Sequence, residues 1–139
     1  MFEISKKFSI PVGHRLSQHK GKCKNIHGHN IDVIVTVWSD RVNDNGMVMD
    51  FANLKLAVNS IVLNQLDHSL LLNKTDQVLF SALKDTGIEN ILLFDFEPTA
   101  ENLCKFIYDL IQDELPMHVY LRSVEIFENE SSSAKYFKG

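Results

Sequence analysis

Between Phe2 and Val12 the even positions are Phe2, Ile4, Lys6, Phe8, Ile10 and Val12, and Ser5, Lys7 and Ser9 fall between them. A period of two predicts a strand with one buried face. Gly13 breaks the pattern, and His14 opens a loop to about Ile26, a length that in compact domains is often functional. From about His27 to Trp38 the period returns, with Ile31, Val33, Val35 and Val37 on one face and Asn30, Asp32 and Thr36 on the other. Ser39 to Gly46 is a turn by its Asn, Asp and Gly content, and Met47-Val48-Met49 predicts a short third strand.

The spacing then changes to three and four. Phe51, Leu54, Val58, Ile61, Val62 and Leu66 mark one face of a helix, with Asp50 placed to cap it. Thr75 to Lys84 predicts a short helix and Ile91 to Phe96 a brief edge strand. Thr99 is a plausible N-cap for a second long helix, with Glu101 in its first turn and Leu103, Phe106, Ile107, Leu110 and Ile111 on its apolar face. Leu115-Pro116 ends it. A last strand is expected from about Met117 to Phe127, before the polar tail Ser131-Ser132-Ser133. The fold class is therefore α+β: a four-stranded antiparallel sheet with two long helices on one face. The other face and the edges are left for a neighbouring copy to cover.

At 139 residues the chain is expected to form a single domain, 1–139, able to bury its own core. Hydrophobic residues make up 45% and charged residues 23%, an ordinary globular balance. The formal net charge of -4 argues against a generic nucleic-acid binder. No stretch approaches a membrane span and the N-terminus lacks the apolar core of a signal peptide, so a cytoplasmic protein is the expectation. Cys23 and Cys104 read as free thiols, Cys104 as a core residue.

Candidate chemistry gathers at Cys23-Lys24-Asn25-Ile26-His27-Gly28-His29. On a strand, His27 and His29 leave the same face, and His14 offers a third imidazole. Three nitrogens suit zinc and leave a fourth position open for water or substrate. His-x-His by itself reads more readily as ordinary surface or core histidines; the case for metal rests on its company. Arg15, Lys20, Lys22 and Lys24 make the loop locally positive, either a solvated loop or a place for phosphates. His19 and His118 have no such company.

Taken in order, several motifs resemble the 6-pyruvoyl-tetrahydropterin synthase superfamily over nearly the whole chain. They are Phe8 to His14-Arg15-Leu16, Cys23-x3-His27-Gly28-His29, Gly46-Met47-Val48-Met49-Asp50-Phe51, Leu66-Asp67-His68, Pro98-Thr99-Ala100-Glu101-Asn102, and Glu128 with Tyr136. The three-residue gap after Cys23 is similar to the 6-carboxytetrahydropterin synthase branch. The resemblance implies the tunnelling fold (T-fold), with sheets joined into a multi-subunit barrel as a homohexamer, a dimer of trimers. It implies zinc (Zn2+) on His14, His27 and His29, acting as Lewis acid and template. The implied substrate is 7,8-dihydroneopterin triphosphate, converted to 6-carboxy-5,6,7,8-tetrahydropterin with release of triphosphate and acetaldehyde, in queuosine and deazapurine biosynthesis.

By the same resemblance Cys23 would be the catalytic base, supported by His68 and Asp67, which come from a neighbouring subunit. Glu128 would hold the guanidine-like edge of the pterin, with Thr99 and Glu101 lining that pocket. The residues alone leave other readings open: Asp67-His68 as a polar cap at a helix end, Cys23 as a fourth zinc ligand, Glu128 as a surface charge, and Glu130 as a rival pterin anchor. For the whole chain the alternatives are a 6-pyruvoyl-tetrahydropterin synthase on the same substrate and a non-catalytic pterin-binding protein. The chain departs from the family's common residues at Val12-Gly13, at Glu97 where Asn is usual, and at Asn129 where Thr is usual.

Overall fold

The alternating segments form the two longest strands. In a computed structural model that describes residues 1–139, β1 (Phe2–His14) and β2 (His27–Ser39) pair antiparallel without a break, from Phe2 opposite Ser39 to His14 opposite His27. Phe8, Ile10 and Val12 of β1 and Ile31, Val33, Val35 and Val37 of β2 are buried on one face. The other face is largely polar, with Ser5 bonded to Thr36 and Ser9 to Asp32 across the pair.

Asp50 caps α1 (Phe51–Val58), its side chain accepting from the Ala52 N–H at 2.7 Å. The rod continues through a π turn (Asn59–Leu63), in which the Asn64 N–H reaches back to the Asn59 carbonyl, into α2 (Asn64–Leu66). The wider turn re-aims the apolar stripe, so that Leu63 is buried with Leu54, Val58, Val62 and Leu66. Phe51 lies outside the stripe and is 52% exposed.

β3 (Ser69–Asn73) follows at once and pairs parallel with β1; α3 (Gln77–Lys84) leads to β4 (Ile91–Phe94), parallel to β3 at the sheet edge. α4 (Ala100–Ile111) is capped by Thr99, whose hydroxyl accepts from the Asn102 N–H at 3.2 Å. β5 (Tyr120–Asn129) pairs with β2, and β6 (Ser132–Tyr136) folds back on β5.

The sheet thus has six strands in the order β4-β3-β1-β2-β5-β6, two more than the four read from the sequence, and β3 and β4 join it in parallel. Met47-Val48-Met49 is not a strand. Its backbone is spent on a turn in which Asn43 exchanges bonds with Met47, the Met47 N–H going to Asn43 Oδ1 and the Asn43 N–H to the Met47 carbonyl. Of the three serines expected in a polar tail, Ser132 and Ser133 enter β6 and Ser131 lies in the turn before it. α1 to α2 and α4 lie on the same sheet face, and their apolar residues join those of β1, β2 and β5 in one core. No helix is long and apolar enough to cross a membrane.

Leu54 is fully buried between α1 and the sheet. Leu54→Ala is expected to lower the free energy of unfolding by about 2–5 kcal/mol, read from urea denaturation midpoints. A change under about 1 kcal/mol would mean the helix is not seated as described.

Candidate metal and active site

The register of β1 on β2 builds the site. His14 stands opposite His27, Val12 opposite His29, and the small pair Gly13 and Gly28 lies between. All three imidazoles leave the helix side of the sheet, at the end of the row Ile31–Val33–Val35. Their ring centroids are 4.4 Å (His14 to His27), 5.0 Å (His14 to His29) and 5.0 Å (His27 to His29) apart. One ligand nitrogen from each lies within 4.8 Å of the others, close enough to share an ion.

Two of the rings are held from behind. His14 Nδ1 is 2.8 Å from the Pro98 carbonyl and His27 Nδ1 is 2.8 Å from the Asn25 carbonyl. A carbonyl only accepts, so each Nδ1 carries its proton and donates it, which leaves the Nε2 lone pair free. Both Nε2 atoms are buried without a hydrogen-bond partner. An unsatisfied buried polar atom costs about 1–3 kcal/mol, and a cation on the two nitrogens removes that cost. The residues present therefore fit a metal ion of the kind that binds imidazole.

Glu128, next to the end of β5, follows Val124 and Ile126 on the helix side, whereas Glu130 is exposed in the β5–β6 turn. Of the two acids, Glu128 is the one whose charge acts on His14. With Glu101, Ala100, Ser132 and Ser133 it lines a small cavity of about 100 Å³. Ser132 and Ser133 were not singled out in the sequence, since only the β5–β6 hairpin brings them beside an acid 28 residues after Ala100. Thr99 is occupied as the cap of α4.

Cys23 sits half-buried in a 3-10 turn (Lys22–Lys24), outside the group of three histidines whose nitrogens converge. Lys20, Lys22 and Lys24 beside it are exposed. Asp67 and His68 follow α2, where His68 takes the left-handed conformation (φ 59°) and gives its backbone N–H to the Pro11 carbonyl. Its Nδ1 is 2.8 Å from Asp67 Oδ1, and the imidazole is 74% exposed. Asp67 and His68 are thus together, but within one chain no hydrogen bond links them to Cys23. A wider cleft, about 660 Å³ between the Asn43–Asp50 turn and Leu115–Met117, lies at the other end of β2 and holds no histidine or cysteine.

The family described as 6-pyruvoyl tetrahydropterin synthase matches residues 3–139. The chain belongs to that family. Among curated relatives, a 6-carboxy-5,6,7,8-tetrahydropterin synthase of Aquifex aeolicus is 34% identical, covering 97% of each chain. One of a Synechocystis species is 35% identical, covering 99% of this chain and 94% of its own. An uncharacterized protein from Wolinella succinogenes has the same fold (TM-score 0.82, 23% identity, covering 99% and 98%). So does the 6-pyruvoyl tetrahydropterin synthase of Caenorhabditis elegans (TM-score 0.72, 24% identity, covering 99% and 96%). The architecture is that of the family's T-fold, and the family's members are enzymes that make tetrahydropterins.

Within this fold His14 is held below the usual imidazole pKa of 6.5. Burial is the main cause and the Pro98 carbonyl opposes it; the other two histidines lower it further and Glu128 raises it. A lowered pKa keeps the ring neutral, the state a metal needs. The sign for folding follows: above 6.5 both folded and unfolded chains leave this group unprotonated, while below it the unfolded chain takes the proton first. Metal-free protein is therefore expected to lose thermal stability as pH falls below about 6.5, with His14→Gln showing a shallower loss. Greater stability of the metal-free protein at pH 5.5 than at 7.5 would contradict this assignment.

Proposed function

We propose that the chain is a zinc-dependent 6-carboxy-5,6,7,8-tetrahydropterin synthase acting on 7,8-dihydroneopterin triphosphate in queuosine and deazapurine biosynthesis. One water is consumed, and triphosphate and acetaldehyde leave. The observation that carries the reading is the convergence of His14, His27 and His29 in a chain about a third identical, end to end, to relatives of that name. In this reading the enzyme is cytoplasmic and a homohexamer, a dimer of trimers.

His14, His27 and His29 hold the ion with their Nε2 or the remaining ring nitrogen, and the carbonyls of Pro98 and Asn25 keep two of those rings turned toward it. Zinc, when bound there, supplies a Lewis acid that makes the hydroxyls of the substrate's side chain more acidic. Cys23, as a thiolate, takes the proton from the adjoining carbon. A free thiol has a pKa of about 8.5 and needs a partner to lose its proton at neutral pH. His68 is that partner. Its Nδ1–H donates to Asp67, so its Nε2 is the basic nitrogen, and Asp67 stabilises the imidazolium that forms. The exposure of the pair and the lack of an intrachain bond to Cys23 fit a role across a subunit boundary.

Glu128 accepts the two adjacent N–H groups of the pterin, beside the small cavity it shares with Glu101; Thr99, as cap of α4, acts there only by fixing the helix turn that carries Ala100 and Glu101. Lys20, Lys22 and Lys24 attract the triphosphate. Replacing all three with alanine is expected to raise KM for the triphosphate substrate severalfold at unchanged zinc content, and an unchanged KM would remove them from the site.

The direct test is mass-spectrometric product analysis of zinc-loaded protein, alongside Cys23→Ala at matched zinc content. The expected outcome is 6-carboxytetrahydropterin with acetaldehyde, and loss of at least about a hundredfold in rate for the variant. A pyruvoyl product would move the chain to the reaction for which its family is named. Wild-type turnover by Cys23→Ala would refute the role of the thiol, and binding without turnover by either protein would make the chain a pterin-binding module.

A further inference from the structure

Glu97 stands just ahead of Pro98 and α4, and both its carboxylate and its carbonyl are engaged. The carboxylate accepts from Ser17 twice, at 2.5 Å from Oγ and 3.2 Å from the backbone N–H. Ser17 is three residues past His14, in the loop that carries Cys23. The Glu97 carbonyl accepts from the Thr99 N–H at 2.8 Å and Asn102 Nδ2 at 2.9 Å, which fixes the residue to the first turn of α4. Pro98, next in the chain and buried, offers the carbonyl that orients His14.

These bonds close a ring. From the His14 imidazole it runs to Pro98, through the chain to Glu97, across to Ser17, and back through Leu16 and Arg15 to the His14 backbone. Leu16 extends the ring to the thiol turn, since its N–H donates to the Cys23 carbonyl at 2.9 Å. We infer that Glu97 is a positioning residue, a strap that fixes the Cys23 loop and the backing of His14 to one another. Glu128 acts on His14 through its charge, whereas Glu97 acts by geometry, through Ser17 and Pro98.

The strap is one of two anchors on this loop. Arg15 holds the other end, its Nη1 on both oxygens of Asp76 at 2.8 and 2.7 Å and its Nε on the Lys24 carbonyl at 2.7 Å. Cutting the Glu97 bond should therefore loosen the loop without releasing it. A graded effect rather than collapse is expected.

The inference rests on the metal reading for one of its two readouts. The first readout is zinc affinity, by chelator competition, with the visible spectrum of the cobalt-substituted protein. The second needs no metal: the rate at which iodoacetamide alkylates Cys23 in the metal-free protein, followed by peptide mass spectrometry so that Cys104 is scored apart. Glu97→Ala is expected to weaken zinc binding about tenfold, to shift the cobalt bands, and to speed Cys23 alkylation severalfold. Glu97→Gln keeps an acceptor for Ser17 and should restore both readouts to within about twofold of the parent. Combining Glu97→Ala with Ser17→Ala should be no worse than Glu97→Ala alone.

Parental zinc affinity and alkylation rate in Glu97→Ala, or fully additive effects of the two substitutions, would overturn the strap. A parent chain that binds no zinc would refute the metal reading instead, and the alkylation rates would then decide the strap by themselves. If Glu97→Ala does not fold, the comparison of Glu97→Gln with Ser17→Ala decides: faster alkylation in the serine variant alone is expected, and equal parental rates in both would overturn it.

Discussion

The pairing of β1 with β2 is the constraint on which the site depends. Successive side chains on a strand alternate faces, so slipping β2 by one residue would send His27 and His29 to the polar face and Gly28 to the core. Ile31, Val33, Val35 and Val37, buried in line with the histidines, make that slip costly, since it would expose all four. Each buried aliphatic side chain contributes about 1.5–3 kcal/mol relative to exposure. The same hydrophobic row that builds the core thus holds the three histidines in register, and they add nothing of their own to that cost.

Register alone brings three rings together without aiming them. The aim comes from carbonyl groups outside the pair of strands, Pro98 ahead of α4 and Asn25 just before β2. Each fixes a tautomer that leaves a lone pair on a nitrogen with no other partner. Two buried nitrogens without a partner in the protein are unfavourable, and an ion held between them would relieve that cost. Ion binding at this triad would be coupled to local stability for that reason. At the sheet edges β4 and β6 are unpaired on their outer sides, and the Asp67–His68 pair is open to solvent.

Much of this was legible because the relevant signals are local. Alternation in Phe8, Ile10 and Val12 gave β1, the parity of His27 and His29 gave their shared face, and Asp50 and Thr99 announced the helices they cap. β3 escaped notice because it is sandwiched between β1 and β4; Leu71 and Leu72 are both buried, so the run Leu70-Leu71-Leu72 does not alternate. β6 failed for the opposite reason, an edge strand rich in serine with only Ala134 and Tyr136 half-buried. Met47-Val48-Met49 has strand-like composition, but the turn around Asn43 takes its backbone bonds. The Glu97–Ser17 contact spans 80 residues and left no trace in local pattern. Strands and caps are written in short windows; the contacts that aim the site are not.

In the proposed site three histidines, and not Cys23, bind one ion and leave a position free for substrate. X-ray absorption at the zinc edge of the loaded protein tests it most directly. The account predicts a first coordination sphere of nitrogen and oxygen only, at about 2.0–2.1 Å, with the multiple scattering of three imidazoles. A sulfur neighbour at about 2.3 Å would contradict it, because Cys23 would then close the site and could not serve as the base.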